Sequence, residues 1–236
     1  MTEFVGLPLT VKTHPRAKRV LVKLVPGKGL EVVMPRGFDP VLVPDILREK
    51  QGWIERNRDM MQAEGRDLTG ELPDLPSVID FKAWGRVYQV DYLARPGQVR
   101  VVENVTRLQV LGPIEDRKAV FDALQVFTVK KAREFCLFRL DALSRQTGLT
   151  YSALRIRRQK TRWGSCSARG TISLNAKLLF LPPKLVDHLI LHELCHTRQL
   201  NHSKHYWTLV ASYEPEYLRL EDEVRRGGKY VPRWFA

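Results

Sequence analysis

The chain of 236 residues is long enough for one large domain or two, and its 44% hydrophobic content excludes a disordered or fibrous protein. Three cysteines, Cys136, Cys166 and Cys195, form an odd and widely spaced set, which excludes a disulfide-stapled secreted scaffold and points to a reducing compartment. With 39 Lys and Arg against 26 Asp and Glu, the net charge of +13 favours polyanionic partners, nucleic acid among them, without selecting one.

The opening residues Met1 to Pro8 lack the basic flank and apolar core of a signal peptide. No later run approaches the ~18 apolar residues of a membrane span. A cytoplasmic protein without membrane contact is expected. Residues 17–25 carry β-branched side chains, Pro26-Gly27-Lys28-Gly29 supplies turn chemistry, and a second strand follows over 30–34, so a hairpin is predicted. From Pro44 to Ala63 apolar residues recur at helical spacing (Ile46, Leu47, Trp53, Ile54, Met60, Met61), predicting one amphipathic helix that covers the sheet. Gly65, Gly70, Pro73 and Pro76 mark residues 64–76 as a connection.

Strand-like runs return at 78–82, 87–94, 98–102 and 106–111, followed by a helix from Glu115 to Thr147 that stops at Gly148. A strand over 151–166, a turn at Ser167-Ala168-Arg169-Gly170 and a returning strand at 171–175 come next. Pro182-Pro183 then opens a helix that is apolar on most sides, hence buried, and that runs to about Asn201. The sequence carries no evident internal repeat, low-complexity tract or phosphate-binding glycine loop. The expected architecture is α+β, with a β-rich region over 1–113 containing one amphipathic helix, then a catalytic region over 114–236.

Within that last helix, His192-Glu193-Leu194-Cys195-His196 sets two imidazoles at i and i+4, on one face and a turn apart. Both rings can then reach a single zinc ion, while Glu193, rotated by about 100°, is placed to take a proton from a water rather than to bind the metal. In a chain of this composition chance produces the pattern only about 0.01 times. Five of the six histidines also lie between His188 and His205. A catalytic zinc takes three protein ligands and a water. The third-ligand candidates are His202, His205, Glu214 and Glu216, with His188 one turn before His192. His202 is favoured because a histidine after five intervening residues matches a known zinc-peptidase arrangement. Cys195 points away from His196 along the helix and reads as a small core residue.

The ordered series Lys160-Thr161-Arg162-Trp163-Gly164-Ser165-Cys166, Ile172-Ser173-Leu174-Asn175, His192-Glu193-Leu194-Cys195-His196, Asn201-His202-Ser203 and Trp207 resembles the YgjP-like metallopeptidases, relatives of the SprT-like and WLM zinc peptidases. The resemblance covers most of residues 151–217, and the β-rich front with Trp53-Ile54 is similar too. It implies a compact zincin-like domain of helices and a β-hairpin, with His192, His196 and His202 as zinc ligands and Glu193 as catalytic base. Tyr206 stands where the family commonly has phenylalanine. The implied activity is zinc-dependent hydrolysis of a protein or peptide substrate. SprT-like relatives include proteases that act on proteins attached to DNA. The alternative is a nucleic-acid-associated protein with a structural or vestigial zinc site. The basic segment Arg155 to Arg162, five cations in eight residues, could hold nucleic acid through phosphate contacts, but it reads first as a solvated strand face. Trp163 is expected either to anchor the hairpin on the core or to face substrate, and Trp207 to pack in the core.

Overall fold

The computed structural model describes residues 2–63, 68–70 and 72–235. Within the expected connection over 64–76, residues 64–67 and 71 lie outside the described residues. The chain forms two compact units, Met1–Pro73 and Asp74–Ala236.

In the first unit, β1 (Glu3–Phe4), β2 (Leu7–Thr13), β3 (Leu21–Val25) and β4 (Gly29–Met34) form a sheet in the order β1-β2-β4-β3. The expected hairpin is β3–β4. Its turn needs glycine at Gly29, where φ is +77° and a Cβ would fall 2.3 Å from the Pro8 carbonyl oxygen. The single helix expected from Pro44 is divided into α1 (Val43–Glu49) and α2 (Gln51–Ala63). The break falls at Lys50, φ −93° and ψ 3°, two residues before Gly52, a poor helix former. Leu47, Ile54 and Met61, seven residues apart, still keep one stripe on the core of Leu7, Leu30, Val32 and Met34.

The second unit begins with β5 (Val78–Phe81), β6 (Arg86–Ala94), β7 (Arg100–Glu103) and β8 (Arg107–Gly112), in the order β5-β6-β8-β7. The long helix α3 (Arg117–Thr147) starts where the Asp116 carboxylate accepts from the Ala119 amide, 3.0 Å, and ends at left-handed Gly148. Then come β9 (Ala153–Arg157), β10 (Gly164–Cys166) and β11 (Thr171–Asn175), ordered β10-β11-β9, followed by α4 (Pro183–Cys195), α5 (Lys204–Tyr213) and α6 (Tyr217–Arg225). One core joins Phe81 and Tyr88, Leu124 and Phe127 of α3, Ile172 and Leu174 of β11, and Ile190 and Leu194 of α4. The boundary therefore falls after Pro73 rather than at 113, because the strands over 78–112 bury their inner faces in the same core as α3 and α4.

The strand expected over 151–166 leaves the sheet between β9 and β10. The buried Asn175 side chain donates to the carbonyls of Gln159 and Arg162, 2.7 Å each, and its backbone amide donates to the Trp163 carbonyl at 2.8 Å. The Gln159 and Arg162 carbonyls are thereby held by a side chain rather than by the ladder. A repeat invisible in the sequence emerges from the topology. In β2-β3-β4, β6-β7-β8 and β9-β10-β11 the first strand runs parallel to the third and the second antiparallel to it. A helical segment follows each time.

Candidate metal centre

Helix α4 begins at Pro182-Pro183, whose fixed φ suits a first turn, and its apolar sides are buried against α3 and the sheets. It ends at His196, short of the Asn201 expected from sequence. The amides of Thr197 and Arg198 donate three residues back, to Leu194 and Cys195, which tightens the last turn. The Ser203 hydroxyl then caps α5, accepting from the Tyr206 amide at 3.4 Å. This reversal returns His202 to the face that carries His192 and His196.

The structure brings those three histidines together, and among the described residues they are the one His, Cys, Asp or Glu group with metal-ligating geometry. His202 Nε2 lies 3.1 Å from His196 Nε2 and 3.2 Å from His192 Nε2. The outer nitrogens fix the tautomers. His196 Nδ1 donates to the Gln199 carbonyl and His192 Nδ1 to Glu221 Oε1, 2.9 Å each, so both Nε2 atoms carry lone pairs. A single N–H on His202 can satisfy only one of its two contacts, and the other opposes two lone pairs. A cation at the centre removes that conflict. Tetrahedral zinc, with Zn–N of 2.0–2.1 Å, sets its nitrogens about 3.3–3.4 Å apart, close to the two spacings made by His202. Burial lowers the affinity of His196 and His202 for protons and keeps both rings in the neutral, ligating form.

Helix α5 fixes the rings. Tyr206, fully buried, stacks on His196 with centroids 4.4 Å apart and donates its hydroxyl to the His192 carbonyl at 3.1 Å. Trp207 stacks on His202 at 5.5 Å and on Tyr217 at 5.4 Å. It is half-buried and packs against the core, as expected, and its ring partners belong to the site.

Glu193 is buried beneath β10. Its Oε2 has no hydrogen-bond partner, and a Cβ at residue 164 would stand 2.5 Å from its Oε1, so only glycine fits there. Burial, and after it the charge of Glu221, pushes the Glu193 carboxyl up to about 8. Strand β10 is the edge of its sheet, pairing only with β11 among the described residues. Trp163, just before it, packs against Gly227 and the core, which is the anchoring role of the two expected for it.

The other candidates stand apart. His205 is exposed on α5, Glu214 terminates that helix, and Glu216 pairs with Lys184 and Arg219. His188 is buried, with its Nε2 3.1 Å from Glu221 Oε1. The Cys195 thiol is buried and pushed up to about 12 by that burial. Arg155 and Arg157 are exposed on β9, alternating with Leu154 and Ile156, which pack on the core; Arg158, Lys160 and Arg162 are exposed in the loop leading to β10. Sequence reasoning missed Glu221. Its signal was there: Tyr217, Leu220, Glu221 and Val224 follow the i, i+3, i+4, i+7 spacing of one helix face, and a carboxylate in such a stripe is out of place unless paired.

A family model described as the YgjP-like metallopeptidase domain matches residues 18–226. A comparison with curated proteins finds no match. Two crystal structures of metallopeptidase zymogens are partly similar. Abylysin of Pyrococcus abyssi is 27% identical over 36% of this chain and 88% of its own, with a TM-score of 0.34. Jannalysin of Methanocaldococcus jannaschii is 21% identical over 37% and 91%, with a TM-score of 0.33. Likenesses this slight say nothing of function.

Proposed function

The chain belongs to the YgjP-like metallopeptidase family, and from that premise we propose that it hydrolyses peptide bonds with zinc held by His192, His196 and His202 and with Glu193 as the general base. The observation that carries this reading is the convergence of three Nε2 atoms on one point, one residue away in sequence from a buried carboxyl oxygen without a partner. Three neutral imidazoles suit zinc. Zinc bound there supplies a polarised scissile carbonyl and an acidified water. Glu193 takes a proton from the water whose oxygen attacks the carbonyl carbon. It then gives that proton to the departing amine nitrogen as the C–N bond breaks. The exposed edge of β10 offers backbone hydrogen bonds to an extended substrate beside Glu193. Arg155 and Arg157 alternate with core-packed Leu154 and Ile156 as on a solvated strand face, and peptide rather than nucleic acid is the substrate proposed.

Glu193→Gln tests the reading, since it keeps size and removes the basic carboxylate. About one zinc per chain remains bound, and hydrolysis of an unfolded protein substrate falls roughly 10²–10⁴-fold. Full activity with zinc retained would remove Glu193 from the chemistry. Loss of zinc would make it a ligand instead.

A further inference from the structure

Helix α6 carries three neighbouring acids with different fates. Asp222 pairs with Arg226 and Glu223 with Arg219, both on the exposed side. Glu221 turns inward toward α4, and its partners there are His188 and His192, both through Oε1. A carboxylate with its side chain only 21% exposed, and with no ion pair to Lys or Arg among the described residues, is costly unless something offsets its charge.

The proton positions around it are determined. His188 is fully buried and its Nδ1 has no partner, so the ring's proton sits on Nε2 and is donated to Glu221. His192 donates from Nδ1 to the same oxygen, which leaves its Nε2 bare toward His196 and His202.

We propose that Glu221 is the positioning residue of the metal centre, fixing the ring angle and tautomer of His192, and that His188 acts through it by holding the carboxylate in place. The inference rests on the reading of His192 as a zinc ligand. The relay runs His188 Nε2–H to Glu221 Oε1 and from there to H–Nδ1 of His192. It makes His192 a stronger donor and preforms the site before metal arrives. His188, one helical turn before His192, thereby has a use that leaves it outside the ligand set.

The test measures zinc affinity of the full chain by competition with a chromophoric chelator, alongside thermal unfolding of the metal-free proteins. Wild type takes up about one zinc. Glu221→Gln keeps the shape and loses about 10–100-fold in affinity. His188→Phe keeps ring volume, removes the donor and loses less. In the double variant the His188 loss largely disappears into that of Glu221, because one residue acts through the other. A purely packing role would lower the unfolding temperature and leave zinc affinity alone. Wild-type affinity in Glu221→Gln overturns the relay while leaving the ligand set intact, and independent, additive losses overturn the place of His188 in it. A wild-type protein that takes up no zinc overturns both the relay and the reading beneath it. If Glu221→Gln fails to fold, Glu221→Asp, which withdraws the charge by one methylene, decides by the same comparison.

Discussion

Glu193 occupies a position that favours a neutral carboxyl in the metal-free protein. Its ordinary value of 4.5 is raised to about 8, first by burial and then by the charge of Glu221. A raised value in the folded state means stability that is complete below 4.5 and lost as pH climbs to about 8, since folding must then take up a proton. Glu193→Gln lacks this dependence. In thermal unfolding of chelator-treated proteins, the variant and wild type melt alike near pH 4, and the variant melts progressively higher up to about pH 8, where the gap levels off. A gap that narrows with rising pH would mean that the fold accommodates the ionised carboxylate. Bound zinc reverses the local electrostatics, so the gap shrinks in the loaded proteins. The residues of the centre differ in how far sequence discloses them. The paired histidines and Glu193 follow from helix geometry alone. Gly164 and Glu221 act across elements distant in the chain, and only the contact itself assigns them a task.

Among the elements, the loop between β9 and β10 depends most on one side chain. Asn175 sits at the end of β11, and its amide reaches the Gln159 and Arg162 carbonyls while its oxygen accepts from the Lys177 amide at 3.1 Å. Removing it leaves two carbonyls without these partners. Asn175→Ala is expected to lower stability to urea by about 2–4 kcal/mol, from the lost bonds and the penalty for unpaired groups. Tryptic cleavage at Lys160 and Arg162 should quicken with it. Unchanged cleavage would show that the loop is held by other means. Elements with strong local signals, such as the β3–β4 hairpin and α3 with its Gly148 stop, were legible from sequence. The excursion at 158–163 was not, because the amide that breaks the ladder comes from a later strand. Helix α4 ends early for a related reason: the tight turn after His196 is stabilised by contacts made by α5.

Two cores separate the chain more sharply than composition does. All the proposed site residues belong to Asp74–Ala236, whose core is built without the first unit's apolar cluster of Leu7, Leu30, Leu47 and Ile54. A protein of residues 74–236 is expected to fold and to bind zinc like the full chain. One starting at 114 loses Ile79, Phe81, Tyr88, Val90, Leu108 and Val110 from the same core and should not fold. Circular dichroism and zinc content distinguish the two. A well-folded 114–236 would restore the division expected from sequence. The threefold recurrence of strand topology stayed hidden because the units share hydrogen-bonding order rather than side chains: Val, Leu and Arg fill equivalent strands in different proportions. Only the third unit is followed by the histidine helix.

On the proposed ligand set, every metal contact comes from the short stretch between His192 and His202, whereas Gly164 and Glu221 arrive from elsewhere in the chain. Closing a short loop around an ion costs little entropy, and local contacts form early in folding. Seating Glu193 under β10 must wait for the sheet. The hydrogen bond between His192 and Glu221 is likewise complete only once α6 has packed on α4, so the support of the ligand set and the seat of the base are assembled by the same folding of the second unit.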